Sequence, residues 1–347
     1  MSDFSVEKDA SLKAPDSGAA AEKCSKGTYP DASATANSGG TTSFVVLLHT
    51  KSWGDRDVTT GVPDYQAVGL NLDGYCTVAH PSAACEEPPW ADADHADGPD
   101  GIDNAAGHAV SSVLGNMTAQ TDNTHETEGI RAYLVRVSDY NGLPDDDNVH
   151  VAWFSATLSD HVTMDPVPDA GSPDRAWNVF EPFLQGSNPK YEALNAYVSN
   201  DVLVAHFDQL QLGGPQAFVP VSNTILQARI VPGEEWGLDD VILAGRWPVS
   251  GIISTLKAEL CQVGCANSTE SCPALLPFAK VACQNVDIAS TSNGSANAPC
   301  DALSFGVLFD GTPSRLGPLT NPVHTSADTA CDPGPASVCE MYVASPK

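Results

Sequence analysis

Basic side chains are scarce in this sequence. Its 347 residues include 16 Lys and Arg against 44 Asp and Glu, which gives a formal net charge of −28 at pH 7. Such a negative chain repels nucleic acids and anionic membranes, and it has few side chains for a phosphate or polyanion site. It suits cations instead, notably Ca²⁺, whose ligands are hard oxygen atoms. Acidity also keeps a protein soluble, and this simpler explanation stays open.

Long apolar runs are missing as well. No stretch of 18 apolar residues occurs, so no segment has the length and polarity of a membrane-spanning helix. The opening residues, MSDFSVEKDASLKAPDSGAAAEK, lack the apolar centre of a signal peptide. The cysteines described below nevertheless favour a location outside the cytosol. We therefore expect an export signal that has been removed, with an unusual export route as the alternative.

Common catalytic motifs are absent too. The sequence contains no HExxH zinc motif, no GxSxG nucleophile turn and no GxxxxGK[ST] phosphate loop. The nearest approach to a catalytic pair is Glu126 and Glu128, which on a strand would share one face like a glycosidase's carboxylates. Acidic proteins often expose such a pair without using it. We therefore favour a protein without catalytic activity, and a carboxylate-dependent polysaccharide hydrolase is the alternative.

Cysteine, in contrast, is abundant. The ten cysteines are Cys24, Cys76, Cys85, Cys261, Cys265, Cys272, Cys283, Cys300, Cys331 and Cys339. Their spacing fits neither a zinc motif nor haem attachment, so we expect disulfides, as in proteins of the extracellular space, cell surface or periplasm. Short loops favour two local pairs, Cys76–Cys85 and Cys331–Cys339. The cysteines from Cys261 to Cys300 are expected to pair among themselves or with Cys24.

The chain divides into three predicted parts. Residues 1–41 are rich in Ser, Ala and Gly with almost no large apolar residue, which is typical of a flexible leader or tether. Residues 42–250 are expected to form a mainly β domain, a β-sandwich of jelly-roll type. Residues 251–347 are expected to form a helix followed by a disulfide-rich C-terminal segment.

Hydrophobic patterns predict the individual elements. Strands are predicted over residues 42–49, 130–137, 149–154, 195–198, 202–207, 224–231, 241–244 and 303–309. The second and third of these, and the fourth and fifth, are separated by turn residues and predict two hairpins. Apolar residues that recur three and four positions apart predict helices over 104–117 and 250–261.

The most specific feature is an acidic loop over residues 92–104. Its candidate calcium ligands are Asp92, Asp94, Asp97, Asp100, Asp103 and Asn104. Short acidic side chains separated by glycines supply the grouped oxygens that Ca²⁺ needs, although the spacing is not that of an EF-hand. Asp73 would join the site if its segment folded back onto the loop. A solvated acidic loop without metal is the alternative, and for a second acidic run, residues 145–147, it is the favoured interpretation.

Several segments resemble known groups of proteins. Leu72–Cys76, residues 100–104, Tyr140–Asp147, Ala244–Pro248 and the cysteine-rich end resemble uncharacterised secreted proteins or lipoproteins of myxobacteria-like bacteria. This resemblance implies export and a surface location, and it carries no activity. Residues 197–204 and 237–243 resemble laminin-G and concanavalin-like jelly rolls. That resemblance implies a lectin-like β-sandwich, often with calcium.

Three functions are compatible with these observations. The first is a non-enzymatic surface protein that is stabilised by Ca²⁺ and binds a glycan or another surface component. The second is the secreted hydrolase that would use Glu126 and Glu128. The third is a structural subunit of an extracellular assembly, which would self-assemble through residues 1–41. Nucleic acid is not an expected partner of any of them.

Overall fold

The computed structural model describes most of the chain. The described residues are 22–23, 29–33, 38–54, 64–77, 85–91, 97–113, 117–158, 167, 175–214, 217–261, 275–291, 297–319 and 339. Their strands are β1 (Glu22–Lys23), β2 (Thr42–Ser52), β3 (Tyr75–Cys76), β4 (Ala132–Tyr140), β5 (Asp146–Thr157), β6 (Ala176–Val179), β7 (Leu184–Gln185), β8 (Asn188–Pro189), β9 (Tyr191–Ser199), β10 (Val202–Gly214), β11 (Ala217–Val231), β12 (Gly237–Pro248) and β13 (Ala302–Leu319). Their α-helices are α1 (Ala105–Val113), α2 (Met117–Thr127), α3 (Val249–Cys261) and α4 (Leu275–Gln284).

Eight long antiparallel strands close into a barrel. Their order is β2, β4, β5, β9, β10, β11, β12 and β13, and β13 pairs with both β12 and β2 to complete the ring. The short strand β6 pairs with the end of β13 and with the end of β5. The prediction of a mainly β fold with short helices is therefore confirmed. The jelly roll is corrected to a single sheet that closes on itself, because β13 is long enough to pair on both sides.

Both predicted hairpins are confirmed. β4 pairs with β5, and β9 pairs with β10. The second hairpin turns through Asn200 and Asp201, whose φ angles are 52° and 65°. Asn and Asp tolerate this left-handed conformation better than most residues, and two such residues in succession make a turn that matches the twist of the strands.

Aromatic side chains fill the barrel. The rings of Tyr133 and Trp153 stack with 5.1 Å between their centroids, and Phe309 contacts both rings edge-on. Because β5 and β13 are not neighbours in the sheet, the contact between Trp153 and Phe309 spans the interior. All three side chains are at most 4 % exposed. The centre of the barrel is therefore a packed hydrophobic core.

The helices pack against strands of the barrel and against one another. α1 packs on β13, α2 on β2 and β4, and α3 on β11 and on α4. The two predicted helices are confirmed as α1 and α3. α2 was not predicted because its sequence, MTAQTDNTHET, contains no apolar stripe. No helix in the described ranges is long and apolar enough to cross a membrane.

Disulfides connect distant parts of the chain. Cys85 is bonded to Cys300, and Cys283 is bonded to Cys339. Cys76 also takes part in a disulfide. The expectation of disulfides is therefore confirmed, and the bridge at Cys283 holds α4 to the C-terminal end of the chain.

The predicted disulfide pairing is wrong wherever the structure describes it. The local pairs Cys76–Cys85 and Cys331–Cys339 do not form. Cys283 and Cys300 pair with Cys339 and Cys85, and not within the range from Cys261 to Cys300 or with Cys24. Next to the first observed bridge, Glu86 and Pro299 form a parallel backbone bridge. Tertiary contacts of this kind, and not loop length, select the partners. Cys24, Cys265, Cys272, Cys331 and the side chain of Cys261 lie outside the described residues.

Parts of the predicted leader contact the barrel region. β1 pairs with β3 in a two-stranded sheet. Farther along, the Tyr29 ring contacts His206, and the Tyr197 hydroxyl donates to the Pro30 carbonyl at 2.7 Å. The remainder of residues 1–41 lies largely outside the described ranges, so their role as a tether stays a prediction. The barrel contains residues from both sides of the boundary predicted at residue 250, because β13 is one of its strands.

Candidate functional site

Three of the aspartates predicted as calcium ligands lie together beside the barrel. Asp97 accepts a hydrogen bond from the Thr77 N–H at 2.5 Å, and Asp103 accepts one from the Leu72 N–H at 2.7 Å. These bonds attach the acidic loop to the segment that carries Asp73. The carboxyl groups of Asp97 and Asp103 are also within hydrogen-bonding reach of each other. The structure thus groups carboxyl oxygens that lie far apart in sequence.

The other predicted ligands are placed differently. Asp92 and Asp94 lie outside the described residues. Asp100 is exposed in the short helical turn Pro99–Gly101. The Asn104 side-chain oxygen accepts the N–H groups of Gly107 and Gly306 at 2.9 and 3.1 Å. Asn104 therefore caps the start of α1, and its oxygen is already occupied.

Two residues that the sequence did not single out complete this carboxylate cluster. Asp287 accepts the N–H and hydroxyl of Ser304 at 2.7 and 2.5 Å. The buried Arg246 donates to the carbonyls of Ala289 and Leu72 at 2.5 and 2.7 Å. Its positive charge acts on the carboxylates, but the hydrogen bonds of its guanidinium are directed at backbone oxygens.

Burial and mutual repulsion determine the protonation of the cluster. Burial raises the pKa of Asp97 to about 7, and the charge of Asp73 adds to this rise. Burial raises the pKa of Asp287 to about 7 as well. The pKa of Asp103 lies well above its usual value, first through burial and then through repulsion by its acidic neighbours. These groups are costly to ionise together unless a cation is present.

The described part of this cluster is not a complete metal site. Among the residues that the structure describes, no three His, Cys, Asp or Glu side chains are grouped closely enough to hold a metal ion. The donor set is nevertheless the right kind for Ca²⁺, because it consists of carboxylate oxygens. A seven- or eight-coordinate ion would need further oxygen atoms, from backbone carbonyls, water or other side chains of the acidic loop.

The candidate catalytic pair, Glu126 and Glu128, lies at the end of α2 and not on a strand. The Glu128 N–H still donates to the Thr124 carbonyl in the helical pattern. Residues two apart on a helix do not face each other, so the two carboxylates do not form a glycosidase-like pair. Glu126 is buried and contacts His49, with 2.7 Å between Oε2 and Nδ1.

The inner side of α2 packs on β2 and β4. Asp122 accepts a hydrogen bond from the Trp53 ring N–H at 2.8 Å and pairs with Arg131. The cavity there is lined by Leu48, Thr50, Asp122, Glu126, Arg131, Ala132 and Tyr133. It has room for about one water molecule. This cavity is therefore too small for a sugar ring.

Comparisons with known proteins add no relative. No protein-family model, curated protein or solved structure matches the chain.

Proposed function

We propose that this chain is an exported binding protein in which Ca²⁺ stabilises the loops beside the barrel and the outer surface recognises a glycan or another surface component. The observation that carries the proposal is the cluster of Asp73, Asp97, Asp103 and Asp287, four carboxyl groups that act on one another electrostatically. A divalent cation bound there would offset their repulsion and fix the acidic loop against the segment that carries Asp73.

The charge balance around the cluster supports a cation. Arg246 is the basic residue whose charge acts on these carboxylates, and its donors are directed at backbone carbonyls. One guanidinium is too little for four ionised groups in a poorly solvated place. The candidates that would complete the coordination are Asp92 and Asp94, which precede Asp97 in the same loop.

The disulfides support the proposed location. Bridges that join Cys85 to Cys300 and Cys283 to Cys339 persist in oxidising compartments and are rare in the cytosol. The filled barrel directs binding to the outer surface and the loops, because the interior is occupied by side chains. A polysaccharide hydrolase is not supported, since Glu126 and Glu128 do not face each other.

Thermal unfolding of the non-reduced protein tests the proposal. Ca²⁺ at a hundred times its Kd would stabilise the folded state by about 2.7 kcal/mol. We expect EDTA to lower the midpoint of the wild type by several degrees and Ca²⁺ to restore it. We expect Asp103→Asn to lose most of this response, because Asn keeps an acceptor for the Leu72 N–H and removes the charge.

Asp147→Asn is the matched control, because Asp147 is an exposed aspartate of the β4–β5 hairpin. It should respond to Ca²⁺ as the wild type does. A wild-type midpoint that is the same in EDTA and in Ca²⁺ would overturn the calcium proposal. Glycan binding would then be tested separately, by array screening of the protein in calcium buffer and in EDTA.

A further inference from the structure

Three polar side chains form a hydrogen-bonded series on the outer face of the barrel. The Thr312 hydroxyl lies 2.8 Å from Nε2 of His49, and Nδ1 of His49 lies 2.7 Å from a carboxylate oxygen of Glu126. The three residues come from β13, β2 and α2. They are separated in sequence by as much as 263 positions, so the fold alone brings them together.

The strand register explains the geometry. β13 and β2 are antiparallel, with Asp310 opposite His49 and Thr312 opposite Leu47. Side chains two residues apart on a strand share a face, so Thr312 and His49 are diagonal neighbours on the same side of the sheet. The imidazole spans this diagonal and reaches Glu126, which α2 holds over the same face.

The three groups differ in exposure in the way that nucleophilic catalysis requires. Thr312 is exposed and the His49 side chain is 34 % exposed, whereas the Glu126 side chain is only 7 % exposed. A hydroxyl within hydrogen-bonding reach of an imidazole, which a carboxylate orients in turn, is the arrangement of an activated nucleophile and its base. The accessible end of the series is the hydroxyl, and the fixed end is the carboxylate.

We infer that Thr312, His49 and Glu126 form an acyl-transfer site that hydrolyses small carboxylic esters. Thr312 is the nucleophile, His49 is the general base and Glu126 is the positioning residue. This activity goes beyond the proposed binding function and does not depend on Ca²⁺. Substrates without negative charge are the expected class, because the net charge of −28 repels anions.

The reaction is balanced without any cofactor. The Thr312 oxygen attacks the ester carbonyl carbon while its proton moves to Nε2 of His49. The carbon–oxygen bond to the leaving alcohol breaks, the alcohol takes that proton, and the acyl group remains as an ester of Thr312. Water then attacks this ester with His49 as its base, and the carboxylic acid leaves as the proton returns to Thr312.

The electrostatics around His49 set the expected pH dependence. The hydrogen bond with Glu126 raises the pKa of His49, and Asp310 adds to this, although Lys51 pairs with Asp310 at 3.1 Å. The imidazole accepts a proton only in its neutral form. We therefore expect the rate to increase with pH through a midpoint above that of an ordinary histidine.

Hydrolysis of p-nitrophenyl acetate, followed by mapping of the acetylated peptide after an acid quench, tests the inference. We expect an acetyl group on Thr312 and a rate that falls about 100-fold in His49→Gln. Thr312→Val is isosteric and keeps the strand-favouring branch, so it should unfold at the wild-type midpoint yet lose the adduct. Thr312→Ser should retain both adduct and turnover.

The matched control is His150→Gln. His150 pairs with Asp139 at 2.8 Å and is 36 % exposed, so it has a similar histidine–carboxylate pair. This variant should hydrolyse the ester at the wild-type rate. Glu126→Gln should shift the midpoint of the pH–rate profile to lower pH, which a purely structural role would not do. A wild-type rate in Thr312→Val, or no acetyl group on Thr312, would overturn the inference.

Discussion

Asp146 and the carboxylate cluster around Asp103 are held in this protein in opposite ways. At the start of β5, Asp146 is fully buried, and its carboxylate accepts the N–H groups of Gly39, Asn141 and Asn148 at 2.8, 2.7 and 3.0 Å. Beside α1, Asp103 is also buried, at 5 % exposure. Its surroundings include the other carboxyl groups of the cluster.

Two kinds of surroundings replace water around these carboxyl groups. Three backbone N–H groups donate to the Asp146 carboxylate, so that aspartate fastens the β4–β5 hairpin to the chain before β2 without any added ion. The carboxylate cluster lacks such a shell. There the neutral form is favoured, and a proton or a cation must make up the difference. Asp146 therefore stabilises the fold by itself, whereas the stability of the carboxylate cluster should depend on pH and on any bound cation.

The largest expected effect on stability is at Asp146. Asp146→Ala would leave three partly buried N–H groups without their acceptor. Hydrogen bonds to charged groups contribute about 1.5–3 kcal/mol each, so we expect the free energy of unfolding to fall by about 4 kcal/mol or more. Urea unfolding of the non-reduced protein measures this loss, which Ca²⁺ should not restore.

The neighbouring Asp147 provides the control for this substitution. It lies in the same hairpin but is exposed, so Asp147→Ala should change the free energy of unfolding by about 0.5 kcal/mol or less. If Asp146→Ala lowered the free energy of unfolding as little as Asp147→Ala does, Asp146 and the carboxylate cluster would not differ in the way proposed.

A smaller effect is expected at Asp287, and it should depend on pH. Its pKa is about 7 in the folded protein and 3.8 as the ordinary value. Between these pH values the folded state binds more protons at Asp287 than the unfolded state does. The stability that Asp287 contributes is therefore greatest below pH 4 and is lost as the pH rises towards 7. Asp287→Asn stays neutral throughout and keeps an acceptor for the Ser304 N–H.

We therefore expect Asp287→Asn to match the wild type below pH 4 and to be more stable than the wild type near pH 8. A shift of about three pKa units sets an upper bound of about 4 kcal/mol on the gain. Urea unfolding in EDTA at several pH values gives the comparison. Parallel stability curves for the two proteins would mean that Asp287 is ionised at neutral pH like an ordinary aspartate.

Local patterns in the sequence predicted the strands well, whereas the way the sheet closes was not predictable from them. Alternation of apolar residues tells which face of a strand is buried, but it does not tell which strands are neighbours. The barrel closes because β13 pairs with β12 over residues 302–309 and with β2 over residues 308–314. A strand that pairs on both sides has the same alternation of apolar residues as a strand that pairs on one side only.

The same limit applies to the candidate sites. Asp97 and Asp103 were predicted together because they lie six positions apart in one loop. Asp287 and Arg246 were missed because they come from distant segments. A single charge within an apolar stretch, as in Val286-Asp287-Ile288, is the signal that could have identified them. The contacts of His49 were not predictable either, since Thr312 and Glu126 reach it only through the fold.

The smallest effect is expected at Asp97, which is only partly buried. Asp97→Asn removes one charge from the cluster and retains an acceptor for the Thr77 N–H. Burial raises the pKa of Asp97 from the ordinary 3.8 to about 7, so in EDTA the variant should equal the wild type near pH 4. At pH 8 it should be more stable by about 1 kcal/mol or less, because water screens part of the repulsion. Thermal unfolding at the two pH values measures the difference. A variant that is less stable than the wild type at pH 8 would show that ionised Asp97 stabilises the fold, and the cluster would then resemble the self-sufficient Asp146.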